Sequence, residues 1–345
     1  MMLLIRADAN GTIGSGHLMR CLSYARDSID EDIEVVIAVS EHESASKVEE
    51  FGLCAVVLET AFDCYSEKAA YELAQVAEAH SASWVLVDSY YVNGVFFKKL
   101  REGCSAQVAY MDDQYLASDG RLVAPVCWDV DAVVNYSFAA SDDEYGATYK
   151  GANVLLILGP QFAPVRKAFS GDTYACVDEV RTVLVTSGAT NPDHTLEKMV
   201  EGVHAALPKT LINVVIGGHA SIDFDLFDAE SVRTFEGWSD LSLLMKESDL
   251  AVSAAGSTLY ELAALGVPTV AVPIVENQVA NAAGFSSRGL GLAVRSIGWS
   301  TEDVAVNVSQ MAESLVLREQ CASAMWRTVD VDGAKRVVRM LFDVG

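Results

Sequence analysis

The residues at positions 3–25 read LLIRADANGTIGSGHLMRCLSYA, which sets one imidazole, His17, between a glycine-rich loop and the start of a helix. Leu18, Cys21, Leu22 and Ala25 recur at i, i+3, i+4 and i+7, the spacing of one buried helix face, so the pattern puts His17 at the helix N-terminus and off that face. Gly11, Gly14 and Gly16 permit positive φ and close approach of a ligand to the backbone. Their order, G-x-x-G-x-G, matches neither the dinucleotide fingerprint nor a P-loop, which argues against a nicotinamide cofactor or ATP. The partial positive charge of a helix N-terminus disfavours imidazolium, and a neutral imidazole in a cleft is what a general base requires. A loop histidine that only caps the helix is the plainer alternative.

A second group lies in SDLAVSAAGSTLYELAALGVPTVAVPIVENQVANAAGF, two successive strand–loop–helix units. Ala255, Gly256, Ser257 and Thr258 open a helix with small side chains, hydroxyls and free N–H groups, a setting that suits a diphosphate. Thr258 and Glu261 are also spaced as a capping box, and Asn277 and Gln278 also suit a turn, so the spacing leaves both readings open. Asp8, Asp88, Asp112 and Asp113 fall near the ends of expected strands, where carboxylates either assemble a divalent-metal site or cap loops; loop capping is the reading taken. Asp88 and Tyr90 could bond sugar hydroxyls. Arg6 and Arg20 flank the His17 loop, either to receive departing negative charge or to balance an acidic surface, and His194 reads as a solvated turn residue.

These groups need a scaffold, and the chain supplies one. Short β-branched runs such as EVVIAV, WVLVD, TVLVTS and TVAVP alternate with helical patterns throughout the 345 residues. Continuous apolar strands between helices mean parallel sheets covered on both faces, hence an α/β fold of two doubly wound, Rossmann-like domains with a cleft at the carboxyl ends of the strands. The prolines of LGPQFAPVRKAF mark the break. Domain boundaries of 1–158 and 181–345, a linker at 159–180 and a last helix packing back on the N-terminal domain are expected. The formal net charge of −24 argues against a nucleic-acid partner and disfavours anionic membranes. Seven scattered cysteines without a C-x-x-C pair suggest reduced thiols, and no run approaches the ~18 apolar residues of a membrane span, so a soluble, cytoplasmic protein is expected. The pattern sets no oligomeric state.

SAAGSTLYELAALGVPTVAVPIVENQ resembles the C-terminal nucleotide-sugar signature of GT-B enzymes of the MurG type. That resemblance implies that Gly256, Ser257 and Thr258 cradle the phosphates of UDP and that Glu261 binds the ribose hydroxyls. With IRADANGTIGSGHLMRCLSYA, LGPQFAPVRKAF, LSLLMKESDLAVSAAGST and ENQ in order along the chain, the sequence is similar to the UDP-2,4-diacetamido-2,4,6-trideoxy-β-L-altropyranose hydrolases of pseudaminic acid biosynthesis. This implies a GT-B fold, a UDP-sugar substrate, no cofactor and no metal. It also implies that His17 activates water at the anomeric carbon and that Asn277 approaches the nucleotide sugar. Gly14, Gly16, Arg20, Asp88, Tyr90, Gly188 and Gln278 complete the expected substrate surroundings. The chain departs from the family at DSYY, which lacks a histidine between Asp88 and Tyr90, and at TSGATNPD, which keeps Gly188, Asn191 and Pro192 in place of a Phe-Gly-Gly-Ser opening. Two alternatives stand beside hydrolysis: a glycosyltransferase of surface or spore-coat polysaccharide, and a catalytically silent nucleotide-sugar-binding protein.

Overall fold

The structure, a computed structural model, describes residues 1–112, 125–171, 174–188, 190–217, 231–236 and 241–342; Asp113 lies outside them. Seven strands form the first sheet: β1 (Met2–Arg6), β2 (Glu34–Val39), β3 (Cys54–Val57), β4 (Trp84–Val87), β5 (Gln107–Met111), β6 (Ala132–Asn135) and β7 (Leu155–Leu158). Their order is β3-β2-β1-β4-β5-β6-β7, every pair parallel. The helices of this unit are α1 (Gly16–Asp30), α2 (His42–Glu50), α3 (Glu67–Ala79), α4 (Gly94–Gly103) and α5 (Asp142–Thr148).

Six strands form the second sheet: β8 (Thr182–Thr186), β9 (Leu211–Ile216), β10 (Val232–Glu236), β11 (Leu250–Ala254), β12 (Thr269–Val272) and β13 (Leu292–Ala293). They run β10-β9-β8-β11-β12-β13, again all parallel. Helices α6 (Thr195–Ala206), α7 (Leu241–Lys246), α8 (Thr258–Leu265), α9 (Asn277–Ser287), α10 (Thr301–Glu313), α11 (Leu315–Thr328) and α12 (Gly333–Phe342) follow. The central strands MLLIR, WVLV, LAVSA and TVAV are buried at every position, as strands covered on both faces must be.

In each sheet the strand order reverses once, between β1 and β4 and between β8 and β11. Loops diverge at such a point and leave a crevice at the carboxyl ends of the strands. The reversal in the first sheet brings the loop after β1, which carries His17, beside the residue after β4, Asp88. The reversal in the second brings Ser187 and Gly188, after β8, beside Ala255–Ser257, after β11.

The two units interlock. Phe138, between β6 and α5, is 1% exposed and belongs to the apolar core of the second unit. The last helix, α12, returns to the first unit, where Ala334, Val337, Val338 and Leu341 join the core that contains Leu18, Cys21 and Ala25 of α1. Lys335 and Arg339 pair with Glu31 at 2.7 and 3.1 Å. Gly333 lies so close to the Ala163 backbone that any Cβ there would overlap it.

The connecting segment is held by a fully buried arginine. Arg318 donates from Nη1 to the Met311 and Ala312 carbonyls at the end of α10, at 2.9 and 2.5 Å. Its Nη2 donates to the Val177 and Asp178 carbonyls at 2.6 and 3.0 Å. The rigid fork of a guanidinium suits this double task, and the carbonyls of a helix C-terminus carry partial negative charge. Arg318→Met strands four carbonyls; at about 1–3 kcal/mol for each buried group left unpaired, the loss is expected to reach at least about 3 kcal/mol. For a unit of this size that lowers the calorimetric transition by roughly 6–12 °C. An unchanged transition would show that water replaces the guanidinium without cost.

Candidate active site

The loop after β1 is stapled by Asn10, whose Oδ1 accepts from the backbone N–H groups of Thr12 and Ile13 at 2.9 and 3.0 Å. Its backbone pairs with Gly14 in both directions, closing a tight turn in which Gly14 adopts φ +71°. Of the three loop glycines only Gly14 takes the left-handed conformation. Gly16 opens α1 with free space where a side chain would stand, so it permits close approach without unusual backbone geometry. His17 is the second residue of α1. It is not on an open face as the periodicity suggested: its side chain is 5% exposed and turned onto Asp88.

Asp88 collects four donors. His17 Nδ1 lies 2.6 Å from Oδ1; Arg20 reaches Oδ2 through Nε and Oδ1 through Nη2; the Cys21 thiol is 3.4 Å from Oδ2. Burial alone would raise the Asp88 carboxyl, but the Arg20 guanidinium and His17 together hold it well below the usual carboxylate range. An ionised carboxylate only accepts, so His17 Nδ1 carries a proton, and in the neutral imidazole the lone pair is then on Nε2. Nε2 has no hydrogen-bond partner among the described residues. Burial first, and the Asp88 charge second, push the Cys21 thiol well up, so it remains a neutral donor.

This arrangement revises two expectations. Asp88 has its oxygens occupied and its side chain buried, so it orients His17 where a direct sugar contact was expected. Arg20 neutralises Asp88 as a bidentate partner, where a role toward departing charge or surface balance was expected. Tyr90 keeps its exposed position, its ring edge-on to the imidazole with centroids 4.4 Å apart. Asp8, Ile13, His17, Asp88, Ser89, Tyr90 and Tyr91 line a narrow pocket of about 10 Å³, room for about one water molecule. Asp8 on its wall pairs with Arg6 and accepts from the Ser40 N–H at 2.7 Å, and Asp112 accepts from the Tyr145 hydroxyl at 2.7 Å. The described carboxylates of the sequence analysis are thus each engaged by protein donors.

On the second unit, Gly256 and Ser257 lead directly into α8; the Leu259 and Tyr260 N–H groups donate to the Gly256 and Ser257 carbonyls at 3.2 and 3.0 Å, which leaves the N–H groups of Gly256, Ser257 and Thr258 for a ligand. The capping box does not form: Ser257 is the N-cap with no side-chain bond, and Glu261 instead accepts from Arg166 of the connecting segment at 2.9 Å. Burial pushes the Glu261 carboxyl up and Arg166 partly offsets it, a raised acid at the edge of the cleft. Gln278 braces the next loop by accepting from the Ile274 N–H at 3.0 Å, with its amide nitrogen close over Gly256. Asn277 is exposed at the start of α9. Gly188, at φ +79°, turns the loop after β8 and donates to Thr186 Oγ1 at 3.2 Å. Asp193 and His194 both adopt left-handed conformations, and His194 lies 3.3 Å from the buried Glu197, a partner the sequence reading did not anticipate.

Sequence reasoning missed Tyr136, Tyr260 and Asn281, which join the two halves. Arg20 Nη1 donates to the Tyr136 hydroxyl at 3.2 Å, Tyr136 meets Tyr260 edge-on, and Tyr260 donates to Asn281 Oδ1 at 2.9 Å. Arg166 stood in a quoted motif without being singled out.

Residues 182–336 match the glycosyltransferase family 28 C-terminal domain. The chain is 26% identical over 227 residues to the spore coat polysaccharide biosynthesis protein SpsG of Bacillus subtilis (strain 168), covering 61% of this chain and 66% of that protein. It is 24% identical over 259 residues to the pseudaminic acid cytidylyltransferase and UDP-2,4-diacetamido-2,4,6-trideoxy-beta-L-altropyranose hydrolase of Helicobacter pylori, covering 72% and 45%. It therefore spans less than two thirds of the length of these relatives. Among solved structures, MurG of Acinetobacter baumannii superposes with a TM-score of 0.70 at 14% identity, covering 99% of both chains. The glycotransferase of kitacinnamycin gives 0.68 at 17%, covering 99% and 98%. The fold is GT-B, two Rossmann-like domains with a cleft between them, and the chain is glycosyltransferase-like in its C-terminal domain.

Because the Asp88 carboxyl is depressed in the folded protein, its contribution is complete above its unfolded pKa near ~4 and is lost as pH falls toward the folded value. Asp88→Asn strands the Arg20 charge, an expected loss of about 3–5 kcal/mol at pH 7. In denaturant titrations the difference between wild type and variant should shrink as pH drops from about 5 to 2. A pH-independent difference would mean that Asp88 is not held ionised by its partners.

Proposed function

We propose that the protein breaks the anomeric C1–O bond of a UDP-sugar, with His17 as the general base and an acceptor hydroxyl as the nucleophile. One observation carries the reading: an imidazole oriented by a buried carboxylate lines a pocket in one domain, joined through Arg20, Tyr136 and Tyr260 to a loop and helix start suited to a diphosphate in the other. His17 Nε2 takes the proton of the nucleophile as its oxygen bonds to C1, and the C1–O bond pair leaves with UDP. The released charge is received by Gly256, Ser257, Thr258 and the N-terminus of α8, while Glu261 accepts from the ribose hydroxyls once Arg166 gives way. Gly14, Gly16, Tyr90, Asn277, Gln278 and Gly188 border the sugar and phosphates. The names of the fold neighbours and the family 28 match favour transfer to a hydroxyl. Hydrolysis is the second reading, favoured by the Helicobacter pylori relative and by a pocket at His17 smaller than most ligand sites.

His17→Asn should leave UDP affinity intact and lower kcat by about 10²–10⁴, the range for losing a general base. A variant near wild-type kcat would remove His17 from the chemistry. Glu261→Ala should weaken UDP more than it weakens analogues lacking the ribose hydroxyls, in calorimetric titrations carried out in EDTA. Equal losses would leave Glu261 a structural partner of Arg166. Incubation with UDP-amino sugars in ¹⁸O-water, with and without acceptor sugars, decides the nucleophile. Transfer predicts UDP release only with an acceptor, and hydrolysis predicts labelled free sugar without one. Label in phosphate would overturn both.

A further inference from the structure

The nucleotide loop and the His17–Asp88 pair lie on different domains, yet one side chain is bonded to both sides of the interface. Asn281 of α9 donates through Nδ2 to the Ala255 carbonyl, the first loop residue before Gly256, at 2.9 Å. Its Oδ1 accepts from Tyr260, from Ser137 Oγ at 3.2 Å and from the Phe138 N–H at 3.1 Å. The segment following β6 is thereby fixed to the nucleotide loop through a single amide.

That segment cannot slide. The Phe138 ring is stacked on Tyr260, with centroids 4.4 Å apart and planes at 4°, and packs edge-on against Phe285. Gly284 admits this approach, since any Cβ there would overlap the Phe138 carbonyl. Arg288 donates to the carbonyls of Phe138 and Ala140 at 2.8 and 3.2 Å. Two residues before Phe138, Tyr136 turns back to the first domain, with its hydroxyl on Arg20 Nη1 and the guanidinium 5.8 Å from its ring centre. Arg20 in turn is the bidentate partner of Asp88 and lies 3.0 Å from His17 Nδ1.

We infer that Tyr136 and Asn281 are positioning residues that couple occupation of the nucleotide loop to the orientation of His17; the inference rests on the proposed UDP site. Closing the 255–258 loop on a diphosphate either moves Asn281 or breaks its bonds. Either event displaces the Tyr136–Phe138 backbone and, through Arg20, the carboxylate that holds the imidazole. The links are packed rings, hydrogen bonds of Asn281 and of the Tyr136 hydroxyl, and the Arg20–Asp88 ion pair, so the displacement has a continuous path to the imidazole.

The test reads the low-field proton resonance of His17 Nδ1–H, assigned by its loss in His17→Asn. UDP titration should shift it in the wild type. Tyr136→Phe and Asn281→Ala should bind UDP within about twofold of wild type, the spread of uncoupled sites, while the UDP-induced shift falls by more than half. With UDP-sugar, kcat should drop about 2- to 30-fold at nearly constant KM, the range of interdomain coupling. A full shift in both variants would show that UDP acts on His17 directly, and the inference fails. If UDP does not bind the wild type, the nucleotide reading fails, and the free proteins decide the coupling: both substitutions must then displace the His17 resonance, and unmoved resonances overturn it. Tyr260→Phe, which removes one hydroxyl, replaces Asn281→Ala should that variant not fold.

Discussion

A carboxylate taken out of water must be paired, and in this protein that constraint falls on Asp88. His17, Arg20 and Cys21 stand at i, i+3 and i+4 on α1, so one turn of helix turns three donors toward the same buried oxygens. The pairing serves two ends. It holds α1 against β4 across the point where the strand order reverses, and it fixes which imidazole nitrogen carries the proton. Arg20 makes the arrangement sustainable, because its charge offsets that of Asp88 without drawing the proton from the ring.

The two sides of the cleft are built on different principles. On the first domain, the candidate site is made of buried side-chain charges whose geometry is set by mutual attraction. On the second, it is made of backbone groups at the start of α8, where Gly256, Ser257 and Thr258 present small side chains. Arg166 and Glu261 bridge the second domain to the connecting segment, so the expected ribose contact is already engaged by the protein itself. The two readings proposed for the nucleophile, water or a sugar hydroxyl, share the same base and leaving group and differ in what the pocket beside Tyr90 and Tyr91 has to admit.

Much of this was legible in the sequence. Uninterrupted apolar strands between helices imply parallel sheets, and two such runs separated by the prolines near Pro160 imply two doubly wound domains; that these form a GT-B fold was implied by the resemblance of the C-terminal signature. His17, the Gly256–Thr258 loop and Glu261 stood out by type and spacing. Asp88 was marked as a sugar contact, and its pairing with His17 and Arg20 went unread because a linear pattern does not show what packs against a strand end. His17 was assigned to the open side of α1 because Cys21 counts as apolar in a periodicity, although it shares the face that meets Asp88. Thr258 and Glu261 fit a capping box in spacing, and tertiary pairing with Arg166 overrode it. Tyr136, Tyr260 and Asn281 left no trace in the pattern: an asparagine in a helix and two tyrosines near element ends are common, and only the docking of the two domains brings them together.

The return of α12 to the first domain has a consequence for how the molecule comes into being. The core beneath α1 is completed by Val337, Val338 and Leu341 of α12, which follows the whole second sheet in the sequence. During synthesis, the N-terminal domain emerges with that apolar strip uncovered and stays so until the ribosome has finished the other domain. The earlier of the two domains is thus sealed only after the later one, and α12 acts as the stitch that closes it.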